Sequence, residues 1–184
     1  MKEKTKAEGL VFELIKYIGD DPMGEHCKDT PKRVIKSYNE LFAGYKMTPE
    51  EALGTVFKSE KYDQIVILKD IEMYSTCSHH MLPFVGKVHI GYIPSDKVVG
   101  LSKLARLVEV FSRRLQVQER LTDQIADAMM KVLKPKGVMV VIEAKHFCMC
   151  ARGIAKQNSS MITSSIRGGF KKESVRQEFM GLIK

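Results

Sequence analysis

The chain has 184 residues, of which 44% are hydrophobic and 28% are charged, and its formal net charge at neutral pH is +8. This length fits one domain of ordinary size with a small extension, and the composition is that of a soluble globular protein. No apolar run approaches the roughly 18 residues that a membrane span needs, and the mixed charges at the N-terminus argue against a signal peptide. We therefore expect a cytoplasmic protein without a membrane partner, whose four cysteines are free or metal-bound rather than paired in disulfides.

The basic charge balance has three possible causes. A nucleic acid would complement it, and so would an anionic small molecule such as a nucleotide. A solvated surface with extra lysines would produce it without any partner. Total charge does not choose among these three.

The first third of the chain carries helical patterns. Thr30 and Pro31 are typical of an N-cap followed by proline at the first helical position. Thr48 repeats this opening, with Glu51 placed for a capping box. These signals predict an N-terminal helical segment over residues 1–60.

Residues 61–184 contain two strand patterns, two amphipathic helices, two further strands and a short helix that follows Lys171. Strands joined by short turns pair antiparallel, so this order predicts an α+β domain with an antiparallel four-stranded sheet and two helices in ββααββ order. The outer strands of so small a sheet need protection, which assembly into a larger barrel would supply. The segments are YDQIVILKDIEMYSTC, FVGKVHIGYIP, LSKLARLVEVFSRRL, a helix with the apolar stripe Leu121, Ile125, Met129 and Val132, VMVVIEAKHFCMC and SMITSSI.

Soft metal ligands occur in two places. We expect the strand that begins at Val138 to run through Cys150, and its period of two places His146, Cys148 and Cys150 on one face. Cys77 and His80 form a C-x-x-H pair, a spacing common at zinc sites. Joining this pair to a cysteine of the strand gives two cysteines and one histidine with the fourth position open. Three protein ligands plus water is the pattern of catalytic zinc.

These cysteines and histidines can also have purely structural roles. The cysteines can be small buried hydrophobes, which is the interpretation we prefer for Cys27. The histidines can serve only to satisfy hydrogen bonds in the core, which is the interpretation we prefer for His89. A structural zinc site with no room for water would instead be closed by four residues, because the period of two does not separate the last two cysteines: Cys77, His80, Cys148 and Cys150.

Polar residues near the two central helices are candidates for binding an anion or a base. Lys103 and Arg106 are three residues apart at a helix start, on one face and behind Ser102, where a phosphate can bind. The alternative is an ordinary solvated helix face. Arg152 follows the cysteine-bearing strand and can join them. Gln118 and Glu119 lie between the helices, where a carboxylate can accept hydrogen bonds from a guanine edge, a weak signal by spacing alone.

Three blocks of sequence carry a resemblance to a known family. They are CSHHMLPFVGKVHIGYIP, VGLSKLARLVEVFSRRLQVQERLTDQIA and VMVVIEAKHFCMCARGIAKQNS, followed by TSSIRGGF. Together, and in this order from about Thr30 to the C-terminus, they resemble GTP cyclohydrolase I of the zinc-dependent type. The resemblance implies the tunnelling fold, with residues 61–184 as a catalytic domain that forms a single functional unit with the N-terminal segment. It also implies hydrolytic opening of the guanine ring of GTP, with release of formate and formation of 7,8-dihydroneopterin triphosphate.

The resemblance assigns roles by position. It implies Zn²⁺ as the cofactor, held by Cys77, His80 and Cys148. Adjacent side chains on extended backbone point to opposite sides, so the two histidines of the doublet are expected to have different tasks. His79 is implied as an acid–base residue and His146 as the second. The family's residues that hold ribose and triphosphate match Ser102, Lys103, Arg106 and Arg152, and its guanine-binding pair matches Gln118 and Glu119.

The resemblance also bears on assembly. Members form decamers of two pentameric rings with sites between subunits, so we expect a homo-oligomer of this kind with GTP as substrate. The family usually has a glutamate where this chain has Ser78, a change that can alter metal retention or a subunit contact. The short N-terminal part gives no indication of a regulatory partner. The product of the reaction can feed folate, tetrahydrobiopterin or deazaguanine synthesis.

Two other functions compete with this one. A basic nucleic-acid-binding protein with a closed structural zinc site would also be cationic and rich in soft ligands. The sequence lacks the aromatic platform or interleaved basic stretch that such binders often show, so no nucleic-acid partner is expected. A tunnelling-fold enzyme acting on a related purine or pterin is the other competitor. The matched guanine and triphosphate residues favour GTP over such an analogue.

Overall fold

The computed structural model describes residues 3–54, 56–60 and 62–184. The chain forms two compact units, one ending at Ala43 and the other covering Gly44–Lys184. The expected boundary between residues 1–60 and 61–184 falls beside position 61, which lies outside the described residues, and that functional division stays a prediction. No helix in the described part of the chain is both long enough and apolar enough to cross a membrane.

The first unit is a pair of helices, α1 (Glu3–Ile18) and α2 (Thr30–Leu41), which contact each other. The N-cap of α2 is Asp29, one residue before the predicted Thr30, and its side chain makes no capping hydrogen bond. Pro31 lies in the first turn, as predicted. The proline therefore marks the helix start correctly, because it tolerates a position where no N–H is needed, while the predicted cap is wrong by one residue.

The second unit begins with short elements. A 3₁₀ turn covers Ala43–Lys46, and α3 (Pro49–Leu53) follows. The capping box predicted at this helix is confirmed, since the backbone N–H of Glu51 donates to Thr48 Oγ1 at 3.3 Å and the Glu51 carboxylate accepts from the backbone N–H of Thr48 at 3.2 Å.

The main sheet has four long antiparallel strands in the predicted ββααββ order, which confirms the α+β class. Two details differ from the expected sheet. A two-residue strand pairs parallel with the end of the first long strand and makes the sheet five-stranded, and two three-residue strands form a separate ribbon. The elements are β1 (Val56–Lys58), β2 (Val66–Cys77), β3 (Pro83–Ile93), β4 (Lys97–Val99), α4 (Leu101–Ser112), β5 (Leu115–Gln116), α5 (Gln118–Val132), β6 (Gly137–His146), α6 (Phe147–Cys150), β7 (Met161–Gly168), a 3₁₀ turn (Gly169–Lys171) and α7 (Glu173–Ile183). The main sheet runs in the order β5-β2-β3-β6-β7.

The core lies between one face of the sheet and the helices α4 and α5. Phe84, Val88, Ile90 and Tyr92 alternate along β3 and are each at most 1% exposed, as the alternating pattern predicts. A smaller apolar cluster covers part of the opposite face and consists of Met139, Val141, Phe170 and Phe179, the last contributed by α7. Both faces of the sheet are therefore partly covered within one chain.

The predicted strand through Cys150 is wrong. β6 ends at His146, and the next four residues form the helical turn α6, with the backbone N–H of Ala151 donating to Phe147 O at 2.9 Å. The neighbouring strand explains the end of the ladder, since its first residue is Pro83 and proline offers no N–H for a further pair. The helix predicted to reach Leu115 likewise ends at Ser112.

Candidate metal and substrate site

A group of two thiols and one imidazole lies at one end of the main sheet. The antiparallel register aligns Ser75 with Phe84 and Phe84 with His146, so the C-terminal ends of β2 and β6 are level. One ligand atom from each of Cys77, His146 and Cys148 lies within 4.8 Å of the others. The structure thus brings together the cysteine of the C-x-x-H pair and the first cysteine after β6.

The chemistry of this group suits a soft divalent cation. Burial raises the pKa of the Cys148 thiol, and the charge and hydrogen bond of Cys77 raise it further, while Arg152 opposes them. Two thiolates in such proximity repel each other unless a cation lies between them. Sulfur and imidazole nitrogen are the ligands that Zn²⁺ prefers in proteins, so the residues present fit this metal.

The imidazole of His146 is held on two sides. Its ring stacks on that of Phe84 with centroids 4.6 Å apart and planes 3° from parallel. Its Nε2 lies 2.8 Å from Oε1 of Gln118. Burial lowers the pKa of His146, and the negative charge of Glu119 partly offsets this shift. The ring is therefore fixed in orientation and favours its neutral form.

The turn that follows β2 is fixed by its backbone. The N–H of Cys77 donates to Leu82 O at 2.8 Å, and the N–H of Met81 donates to Cys77 O at 2.8 Å. The N–H of Ser78 donates to Gln116 O at 2.8 Å, which ties the turn to β5. Met81 lies in this turn and has a positive φ of 54°, a backbone conformation common in turns. Ser78, which stands where the family usually has a glutamate, therefore joins the turn to β5 through its backbone.

The histidine doublet lies on this turn with both side chains exposed. The rings of His79 and His80 are nearly perpendicular, with centroids 6.4 Å apart. Among the described residues, the group around Cys77 and Cys148 includes His146 and leaves out His80. The role of His80 as a zinc ligand stays a prediction.

The basic residues predicted to hold a triphosphate open α4. Ser102 and Arg106 are exposed and Lys103 is half-buried. Gly100 is the N-cap of this helix and has no side chain to cap its first N–H groups. The N–H of Lys103 donates to Gly100 O at 2.9 Å, and a helix start without a side-chain cap can bind an anion.

This helix start lies far from the thiol group within one chain. The backbone N–H of Val99 donates to the hydroxyl of Tyr92 at 3.3 Å, which places the start of α4 over that residue. Tyr92 is eight residues along β3 from Phe84, the residue that contacts His146, and that separation corresponds to about 27 Å of strand. The predicted phosphate residues on α4 and the thiol group therefore occupy opposite ends of the same sheet.

The other predicted substrate residues lie nearer to the thiols. Arg152 is exposed and follows α6, and its charge acts on Cys148. Glu119 is exposed in the first turn of α5. The side chain of Gln118 is only 1% exposed and is bonded within the protein, so its contact with guanine stays a prediction. The role of Phe84 in holding His146 gave no signal in the sequence beyond an apolar position in a strand.

Four cysteines and histidines lie outside the thiol–imidazole group and the doublet, and one of them, His26, is exposed in the first unit. Cys150 is buried, and its Sγ donates to Lys156 O at 3.5 Å. His89 is buried and accepts a hydrogen bond from the backbone N–H of Asp70 at 3.2 Å, in agreement with its expected structural role. Cys27 is half-buried beside a carboxylate of Asp20, 3.5 Å from its Sγ, and is not the fully buried hydrophobe that we expected.

Comparisons with known proteins relate the whole chain to one family. A profile of GTP cyclohydrolase I matches residues 7–184. The GTP cyclohydrolase 1 of Wolinella succinogenes is 57% identical over 183 residues, covering 99% of this chain and 98% of the relative. That of Brucella canis is 52% identical and covers 98% of this chain and 86% of the relative. A solved structure of the archaeosine synthase QueF-Like in the apo form covers 59% of this chain and 98% of its own, at 19% identity and a TM-score of 0.49. The ββααββ order and the family match together confirm the predicted tunnelling fold, and the chain belongs to the GTP cyclohydrolase I family.

Proposed function

We propose that this chain opens the guanine ring of GTP by hydrolysis, releases formate and forms 7,8-dihydroneopterin triphosphate, with Zn²⁺ held by Cys77, His80 and Cys148. The observation that carries the proposal is the close approach of two thiols and an oriented imidazole in a chain of this family. When bound, Zn²⁺ lowers the pKa of a water ligand and so supplies a nucleophile near neutral pH.

His146 is the acid–base group that the structure supports best. Its ring cannot rotate freely, because Phe84 stacks on one face and Gln118 bonds Nε2. An acid–base catalyst must hold its proton within hydrogen-bond reach of the reacting atom, and a fixed ring meets that requirement. His79, exposed on the turn after β2, is the second proton donor or acceptor, with freedom to reach a ring nitrogen of the purine.

The substrate would be held at both of its ends. The carboxylate of Glu119 is exposed and can accept hydrogen bonds from the guanine edge, with Gln118 as its neighbour in the predicted pair. Donors at the start of α4 and beyond α6 would bind the ribose and triphosphate, which orients the purine toward the thiol group. These residues are Ser102, Lys103, Arg106 and Arg152.

The distance between the start of α4 and the thiol group supports a site shared between subunits. About 27 Å of strand lies between the ends of the sheet that carry them, which is long for one nucleotide to bridge. The strand β7 is an edge of the sheet, and its Ile162 is 64% exposed, so its outward N–H and C=O groups are available to another chain. A homo-oligomer, two pentameric rings forming a decamer, would meet both requirements, and we expect it to work in the cytoplasm without a nucleic-acid partner.

The first experiment is an assay of zinc-loaded protein with GTP, following formate release and the fluorescence of the oxidised pterin. We expect both signals, and we expect both to be lost in His146→Ala and kept in His26→Ala, a matched change of an exposed histidine in the first unit. A zinc-replete oligomer that gives neither signal would contradict the proposal and favour a related substrate. A folded monomer in sedimentation would contradict the shared site.

Zinc content decides the ligand set. We expect His80→Ala to lose zinc and His79→Ala to keep it while losing turnover. Cys150→Ser should keep zinc and activity, because this thiol bonds Lys156 O and lies outside the thiol–imidazole group. Loss of zinc in that variant would instead support a closed four-residue site.

The triphosphate contact is tested at Lys103. Lys103→Ala should raise KM for GTP and leave zinc content unchanged. Lys97→Ala removes a charge six residues earlier, from an exposed position on β4, and serves as the control. Equal effects of the two variants would mean that general charge, and not a specific contact, attracts the substrate.

A further inference from the structure

The side chain amide of Gln118 is surrounded by acceptors on one side. Its Nε2 lies 3.0 Å from Ile142 O, 2.9 Å from Met161 O and 3.1 Å from Thr163 Oγ1. Two of these atoms are backbone carbonyls, which can only accept. The nitrogen must therefore face this side, and Oε1 must face the other, toward His146.

The third contact is also directed by its surroundings. Thr122 Oγ1 donates to the backbone carbonyl of Gln118 at 2.7 Å and lies 2.7 Å from Thr163 Oγ1. Because Thr122 donates its hydroxyl proton to a carbonyl, Thr163 must donate to Thr122, and the lone pairs of Thr163 Oγ1 can accept from Gln118. The chain of hydrogen bonds thus starts at Gln118 Nε2 and ends at Gln118 O, with one consistent direction.

This direction determines where His146 carries its proton. Oε1 of an amide can only accept, so Nε2 of His146, 2.8 Å away, must be the donor. In a neutral imidazole the other nitrogen then holds the lone pair. We propose that Gln118 is a positioning residue that holds neutral His146 as its Nε2–H tautomer and leaves Nδ1 as the nitrogen with a free lone pair.

The assignment changes what the side chain of Gln118 can do for the substrate. Its oxygen is bonded to His146 and its nitrogen has more acceptors than protons. With a side chain 1% exposed, it presents no free N–H to guanine. Base recognition then falls to other groups, such as the exposed carboxylate of Glu119.

The direct test is the tautomer itself. Protein carrying ¹⁵N-labelled histidine is studied by solid-state NMR at a pH where histidine is neutral, zinc-loaded and again after chelation. Bare and N–H nitrogens of an imidazole give well-separated resonances, and His146 is identified by the signals that His146→Gln removes. We expect N–H at Nε2 in both samples. N–H at Nδ1, or a mixture of tautomers, would overturn the proposal without any further variant.

Two variants test whether Gln118 is the cause. Gln118→Met removes the acceptor at similar volume and should give a mixture of tautomers. Thr163→Val removes one acceptor from the amide nitrogen but leaves the carbonyls of Ile142 and Met161, so it should keep Nε2–H. A single unchanged tautomer in Gln118→Met would show that another group sets it.

The test by turnover of GTP rests on the proposed function, whereas the test of the tautomer by NMR does not. In turnover of GTP, Gln118→Met should lower kcat by about 10- to 100-fold, the range for residues that orient an active group, with KM changed little. A rise in KM at unchanged kcat would restore Gln118 as a guanine contact and refute the positioning role. Protein with the expected tautomer but no turnover of GTP would refute the proposed function alone.

Discussion

Two serines near the site should respond to alanine with opposite signs. Ser112 is 0% exposed, and its Oγ is the buried side-chain polar atom without a hydrogen-bond partner among the described residues. Ser75 is also buried, but its Oγ donates to Ser112 O at 2.6 Å. On folding, the Ser112 hydroxyl loses its hydrogen bonds to water and gains none in the protein. The Ser75 hydroxyl replaces them with its hydrogen bond to Ser112 O.

The magnitudes follow from these contacts. An unpaired buried polar group costs about 1–3 kcal/mol, and alanine also gains up to about 0.5 kcal/mol of helix propensity over serine, so Ser112→Ala should stabilise the protein by about 1 kcal/mol or more. Ser75→Ala should cost about 0.5–1.5 kcal/mol, the net value of one hydrogen bond. It should not cost more, because Ser112 O keeps a second donor, the backbone N–H of Arg114 at 2.8 Å.

Thermal unfolding at matched protein concentration measures both effects. A change of 1 kcal/mol shifts Tm by about 2–4 °C in a chain of this length. Ser174→Ala, at an exposed position of α7, controls for helix propensity alone. If Ser112→Ala lowers Tm, its hydroxyl has a partner such as an internal water, and the reasoning from an unpaired group fails.

Three further perturbations test other parts of the fold. Burial lowers the pKa of His89 below its unfolded value. The stability that neutral His89 contributes is therefore complete above about pH 6.5 and is lost as the pH falls below that value. In denaturant titrations at several pH values, His89→Gln should lose stability less steeply on acidification than the parent protein. Phe179→Ala should cost about 3–5 kcal/mol, because its fully buried ring lies against Gly91, and proteolysis near the C-terminus should become faster. Arg114→Lys should lower Tm, since the guanidinium gives Gly44 O two hydrogen bonds, at 3.0 and 2.7 Å, that an ammonium cannot reproduce together; an unchanged Tm would show that this contact does not stabilise the fold.

The order of elements could be predicted because each pattern reports its own element. Apolar residues at every second position of β3 require a strand with one buried face, and the stripe of α5 requires a helix. Short turns then leave antiparallel pairing as the connection available to successive strands. Local signals were enough for this part of the fold.

The end of β6 could not be predicted from its own residues. The segment from Val138 to Cys150 contains neither glycine nor proline, so no breaker within it marks His146 as the last strand residue. The ladder ends because the neighbouring strand begins with Pro83, and that pairing depends on register across the sheet. This single error also misplaced the side chains that follow it.

The environment of Gln118 was beyond sequence reasoning for a related cause. The partners of its amide nitrogen come from β6 and β7, separated from it by 24, 43 and 45 residues at Ile142, Met161 and Thr163. A surface glutamine and a buried one look alike in sequence. Only the fold shows that this amide has acceptors on one side and an imidazole on the other.

The two candidate histidines of the thiol group differ in what holds them. His146 has a fixed ring, whereas His80 lies on a turn whose backbone is bonded at Cys77 and Ser78 while its side chain is exposed. Exposed side chains change rotamer within nanoseconds, so the side chain of His80 is not held in one position as the ring of His146 is. The proposed roles, His80 as a zinc ligand and His146 as the acid–base group, agree with this difference in mobility. The converse assignment would require His146 to serve the metal through Nδ1 while His80 carries the proton, and zinc retention in His146→Ala alone would exclude it.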